Sequence, residues 1–163
     1  MEANLKYVSI CRVGIEDIDL FVKYRIDYLA EMQGDASAEC RQKLEEELNN
    51  HFKAEMEQER FFAFVAKKEG EVLGFGAMIV RKIPGDFNKP VYLEGDILNM
   101  YTLPSARRKG VSTMILKKLI KEASNRGISK ISLHTTKEGE KLYRNFGFSE
   151  TLYPVLELPL LSN

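Results

Sequence analysis

Cysteine is scarce. Cys11 and Cys40 stand apart with no CxxC pairing, which argues against a zinc site and against a disulfide framework. Long apolar runs are missing as well: Phe61 to Ala66 and Phe75 to Val80 are the longest, at six residues each, against the roughly eighteen that a membrane span needs. The opening Met1-Glu2-Ala3-Asn4 has neither the basic region nor the apolar stretch of a signal peptide, so a reducing cytoplasm is the expected location. No internal repeat, low-complexity tract or linker breaks the chain. Net charge is missing too, with 24 basic and 24 acidic residues, which disfavours a protein that works mainly on phosphate backbones. With 163 residues, 44% apolar and 29% charged, disorder and collagen-like repeats are excluded, and one domain spanning 1–163 is expected.

The zero hides an uneven distribution. From Pro104 to Arg126 stand seven bases (Arg107, Arg108, Lys109, Lys117, Lys118, Lys121 and Arg126) against one acid, Glu122. That segment carries +6 and the remainder −6. A local basic segment in a neutral chain suits a compact anionic ligand better than a long polyanion.

Periodicity supplies the elements. Leu5 to Arg12 reads as a strand. Ile15, Ile18, Val22, Ile26 and Leu29 share one side of a helix that stops at Gly34-Asp35, and Ser37 to about Glu59 forms a second helix. Phe61 to Lys67 and Val72 to Arg81 flank Lys68-Glu69-Gly70-Glu71 as a hairpin, and a loop follows from Lys82 to Pro90. Val91 to Thr102 is a long strand ending at Pro104. A helix from about Arg107 to Ser124 buries Val111, Met114, Ile115, Leu119 and Ala123. Lys130 to Thr135 is a short strand, Lys137 to Phe146 a helix ended by Gly147, and Phe148 to Leu158 alternates enough for one or two final strands. The order βααβββαβαβ implies an α+β or mixed-sheet unit.

One stretch carries chemistry. Arg107-Arg108-Lys109-Gly110-Val111-Ser112-Thr113 lies between a strand end and an amphipathic helix. Backbone N–H groups of a first helical turn lack intrahelical partners, and the helix dipole adds positive potential there, so the place suits a phosphate. Gly110 admits close backbone approach, and the three bases add charge-assisted donors. Some thirty residues on, Leu142-Tyr143-Arg144-Asn145-Phe146-Gly147-Phe148 sets a tyrosine in a short helix before a glycine-directed return.

These residues resemble the GNAT family of acetyl-CoA-dependent N-acetyltransferases. Arg107 to Ser112 resembles the family's pyrophosphate motif, Thr102-Leu103-Pro104 its lead-in, and Leu142-Tyr143 with Gly147-Phe148 its later motif. The resemblance runs from about Val91 to Phe148. It implies a central, mostly antiparallel sheet of six to seven strands with helices on both faces. It implies acetyl-CoA bound by the backbone at Met100, Tyr101 and Thr102, by Arg107, Arg108, Lys109, Gly110, Val111, Ser112 and Thr113, and by Thr136. Two departures stand out: Ser112 replaces the family's Gly or Ala and adds a hydroxyl, and Thr136 stands where many members carry a cofactor-contacting asparagine.

The implied reaction is direct attack of a primary amine, on a small molecule or a peptide, at the thioester carbonyl. N–H groups near Met100 to Thr102 would stabilise the oxyanion, and Tyr143 would serve the departing thiolate. A phenol of pKa ~10 giving its proton to a thiol of ~8.5 runs uphill by about 2 kcal/mol, so a hydrogen bond is favoured over full transfer. Asp96 matches the place of a glutamate base in some members, with Glu94 on its face and Asn99 on the alternate one. No metal is expected. The competing readings are a coenzyme-binding regulatory module without a competent base, and polyanion binding through the basic helix. A homodimer is left open, and nucleic acid and membrane are not expected partners.

Overall fold

Every side chain from Phe61 to Ala66 is buried, a pattern that only a strand covered on both faces sustains. The computed structural model, which describes residues 7–160, shows what covers them. The elements run β1 (Ser9–Arg12), a 3-10 turn (Ile15–Asp17), α1 (Ile18–Gln33), α2 (Ala38–Glu57), β2 (Phe61–Lys68), β3 (Glu71–Pro84), β4 (Val91–Thr102), a 3-10 turn (Pro104–Ala106), α3 (Val111–Asn125), β5 (Ile128–Leu133) and α4 (Lys137–Asn145). The chain divides into two compact units, Met1–Leu133 and His134–Asn163.

In the first unit the strands lie in the order β1-β2-β3-β4-β5. The first four pair antiparallel, and β5 joins β4 in parallel. Period-two alternation then sorts the core. Phe61, Ala63 and Val65 of β2 and Phe75 and Ala77 of β3 pack with Phe21, Val22 and Ile26 of α1 and Phe52 of α2. Phe21 meets Phe52, Phe61 and Phe75 edge-on at 5.3–5.6 Å between centroids, and Phe52 stacks on Phe61 at 4.5 Å. The alternate residues face α3, whose Val111, Ile115, Leu116, Leu119 and Ala123 are buried. Helices therefore cover both faces, and the backbone approach is close at Gly76, where a Cβ would lie 2.7 Å from Ile115 Cγ2.

A one-residue bulge interrupts the central ladder. Ala77 pairs with Asn99 and Met78 with Ile97, so Leu98 of β4 has no partner on β3.

Four expectations need correction. The sheet of the described residues has five strands, not six to seven, because 148–160 contains no strand. Pro154 and Pro159 withhold ladder donors there and Val155-Leu156 breaks the alternation; Val155, Leu156, Leu158 and Leu160 are 70% to 91% exposed. The basic helix begins at Val111 rather than near Arg107, because Arg107 is extended and Arg108 and Gly110 have φ of +58° and +80°. The first strand starts at Ser9, and Leu5 lies outside the described residues. The expected loop from Lys82 is shorter, since β3 runs to Pro84 and the turn closes through Gly85 N–H to Pro90 C=O at 2.9 Å.

In the second unit, Thr136 caps α4 by accepting from Gly139 N–H at 3.2 Å. Gly147, at φ +92°, ends it as its sequence position implies. Arg144 ties the helix to Glu140 at 3.0 Å and to Glu150.

Candidate active site

The ladder between β4 and β5 stops at Ile97 and Leu133. Beyond it, residues 98–102 of β4 have no ladder partner on that edge among the described residues. Leu103 N–H donates to Leu73 C=O on β3 at 2.9 Å. Backbone groups alternate in direction along a strand, so Tyr101 also turns its N–H toward β3, and Met100 and Thr102 turn theirs to the open edge. Thr102 C=O points the same open way, where it accepts from Arg107 Nε at 3.0 Å.

This edge leads into the basic turn. The left-handed residues Arg108 and Gly110 curl the backbone, and α3 starts at Val111 with no side chain capping it. The first helical hydrogen bond runs from Met114 N–H to Gly110 C=O, so the N–H groups of Val111, Ser112 and Thr113 have no acceptor within the helix. Arg108 and Lys109 are exposed beside them, with Lys109 Nζ donating to Ser105 C=O at 2.8 Å. Ser112 Oγ lies 2.7 Å from Thr102 Oγ1, a hydroxyl bond that joins the strand end to the helix start. Curled backbone donors, a free helix start and two cations fit a diphosphate.

Arg107 faces elsewhere. Its Nη2 reaches Glu31 of α1 at 2.6 Å, and its guanidinium lies 5.7 Å from the Tyr101 ring. Tyr101 OH also donates to Glu31. The Arg107 hydrogen bond, then that of Tyr101, hold the Glu31 carboxyl below its usual range. Burial first, then Glu31, push the Tyr101 phenol up. Tyr28 completes an aromatic wall, 5.2 Å from the Tyr101 ring. Glu31 carries no local motif, and only the fold, which brings together residues 76 positions apart, reveals it.

On β4 the bulge rearranges the faces. Asp96 pairs with Ile79 and Asn99 with Ala77, and both partners belong to the core beneath α1 and α2. Asn99 therefore shares the face of Asp96 and Tyr101, contrary to the alternate face that regular spacing predicts. Asp96 is ion-paired to Arg81 at 2.6 Å, and Glu94 to Lys130 at 2.9 Å. Asn99 is 6% exposed, and its Oδ1 has no hydrogen-bond partner.

In the second unit Tyr143 is buried, its ring edge-on to Phe148 at 5.7 Å. Its carbonyl accepts from Phe146 N–H at 2.9 Å and Phe148 N–H at 3.2 Å. The Thr136 hydroxyl oxygen is engaged in capping α4.

Comparison with known proteins agrees with these features. A model of the acetyltransferase (GNAT) family matches residues 26–148. The uncharacterized N-acetyltransferase YsnE of Bacillus subtilis is 41% identical over 59 residues, 33% of this chain and 39% of that one. Aminoglycoside N(6')-acetyltransferase type 1 of Salmonella typhimurium is 26% identical over 102 residues, 59% of this chain and 68% of that one. A protein of Clostridium acetobutylicum, described as a predicted acetyltransferase and solved with acetyl-CoA, superposes with a TM-score of 0.80 at 27% identity, covering 94% of this chain and 96% of that one.

Proposed function

The chain belongs to the acetyltransferase (GNAT) family, and from that premise we propose that it transfers an acetyl group from acetyl-CoA to a primary amine of a small molecule or peptide. The observation that carries this reading is the continuity of the unpaired β4 edge with the uncapped start of α3 through the left-handed residues Arg108 and Gly110. An edge strand of free N–H and C=O groups suits an amide-bearing arm, and the curled donors at its end suit the diphosphate to which that arm is joined.

Acetyl-CoA supplies an activated acetyl thioester. Met100, Tyr101 and Thr102 line the arm, the N–H groups of Val111, Ser112 and Thr113 with the cations of Arg108 and Lys109 hold the diphosphate, and Arg107 braces the turn through Thr102 and Glu31. Met100 N–H, turned to the open edge, donates to the carbonyl oxygen as it gains negative charge. Asp96, on the α1–α2 face, receives the proton that the amine gives up. The motif resemblance assigns Tyr143 a hydrogen bond to the departing thiolate, and Thr136 a contact to the coenzyme.

Calorimetric titration with acetyl-CoA, followed by thiol release across aminoglycosides, polyamines and peptide amines, tests the reading. Aminoglycosides head the panel because a relative is named for them. Saturable binding with turnover on an amine is expected. Tight binding with no turnover on any amine means a coenzyme-binding regulatory module instead, and affinity that collapses with salt and ignores free CoA means a polyanion binder. Tyr143→Phe should lower kcat by about 10- to 100-fold with the acetyl-CoA dissociation constant unchanged. An unaltered kcat removes Tyr143 from the reaction.

A further inference from the structure

We propose that Asn99 is the acceptor-positioning residue of the site, its Oδ1 accepting a hydrogen bond from an N–H of the incoming amine; the inference rests on the acetyl-transfer reading above. The Asn99 side chain is 94% removed from solvent, since its exposure is 6%, yet its carbonyl oxygen has no partner. Buried amide oxygens are nearly always satisfied, and an exception in a folded protein calls for a ligand, a bound water or a role in chemistry. The surroundings favour the ligand. Asn99 follows the bulged Leu98 and precedes Met100, whose N–H turns to the open edge by the alternation derived above.

The bulge also sets Asn99 on the face of Asp96 and Tyr101, so an acceptor oxygen, a carboxylate and a phenol tied to Glu31 project to one side of β4. An amide oxygen only accepts. The group it matches is therefore a donor, and an amine has an N–H to offer while its lone pair stays directed at the carbonyl. Core packing alone gives no reason for an asparagine: Ala77, Phe75 and Leu98 on the same face are apolar, and leucine has the same branched shape without a polar group to strand.

That contrast provides the test. Asn99→Leu should raise the Tm, because an unsatisfied buried oxygen is removed, and should lower kcat/KM for the acceptor by about 10- to 100-fold, mainly through KM. The KM for acetyl-CoA should stay within about twofold. An acceptor held near its wild-type KM, with CoA present, should raise the Tm of the wild type and leave that of Asn99→Leu nearly unmoved. Asn99→Asp keeps an acceptor oxygen and should retain more activity than the leucine variant, with a pH–rate profile displaced from that of the wild type. A leucine variant with unchanged acceptor kcat/KM overturns the assignment and leaves the acetyltransferase reading intact. Loss of both Tm and activity in the leucine variant makes Asn99 a structural residue and also overturns it. A wild type that binds and acetylates no amine overturns both readings.

Discussion

Gly110 illustrates how narrowly a single position constrains the site. At φ +80° it holds a conformation that a side chain with a Cβ disfavours by about 1–2 kcal/mol, and it immediately precedes the free N–H groups of α3. Gly110→Leu should therefore lower stability by about that amount and weaken acetyl-CoA binding at least about tenfold, since the strand-to-helix turn must rearrange. Isothermal titration beside chemical denaturation separates the two effects, and normal coenzyme affinity in this variant would show that the turn is not the diphosphate site. Arg108 shares the left-handed conformation at φ +58° without a glycine's freedom. A charged side chain held in that strained state is consistent with a functional use of its guanidinium.

Among the elements, α3 packs closely on β3. A Cβ on Gly76 would come within 2.6 Å of Met100 Sδ and 2.7 Å of Ile115 Cγ2, with Leu119 Cδ1 at 3.0 Å. Gly76→Ala should destabilise by about 1–3 kcal/mol through overpacking, and the loss should be smaller in a Leu119→Ala background, as a double-mutant cycle by urea denaturation will report. The elements also differ in how far the sequence discloses them. β4 was legible at both ends, because its apolar alternation runs up to a Leu103-Pro104 stop. The start of α2 was legible from Ser37, which accepts from Cys40 N–H at 3.2 Å. The strands expected after Phe148 were not, because alternation over Leu152 to Leu158 is common to strands and to exposed tails and the prolines among them decide against pairing. The start of α3 was misplaced because basic residues read equally well as a first turn or as the turn before it, and only backbone angles tell them apart.

For the whole molecule, the split of +6 and −6 has a structural counterpart. Lys117, Lys118 and Lys121 lie exposed on α3, while Glu31, an acid from a distant position, meets Arg107 of the basic segment at 2.6 Å, and the segment's own acid, Glu122, pairs with Arg126 four residues on and with Arg12 of β1. The pairings of Glu31 with Arg107 and of Glu122 with Arg12 were illegible in the sequence, since they join distant side chains, 76 residues apart in the first case, with no spacing rule. The Glu31 contact carries a pH signature. Its folded-state pKa lies below the ordinary value because Arg107 and then Tyr101 donate to it, so its stabilisation is fully present above the unfolded value of about 4.3 and is lost as pH falls through the folded one. Wild type should be modestly more stable than Glu31→Gln at pH 7, with exposure to water limiting the size of the difference. The two Tm curves should converge as the medium is acidified below about pH 4, and a gap that persists unchanged at pH 3 would assign the effect to packing.

The unpaired Leu98 has a hereditary consequence. Asp96 and Asn99 are three positions apart yet face the same way only because Leu98 stands between them on β4 as an extra residue, while their partners on β3 are two apart. A base substitution can alter either side chain but cannot move it to the opposite side of the sheet. A codon inserted between those for Ala77 and Met78 would do so, giving Leu98 a partner and restoring a regular ladder while turning one of the two residues away from the other. Lineages that keep both on one side must therefore hold the facing segment of β3 to its length more strictly than to its spelling.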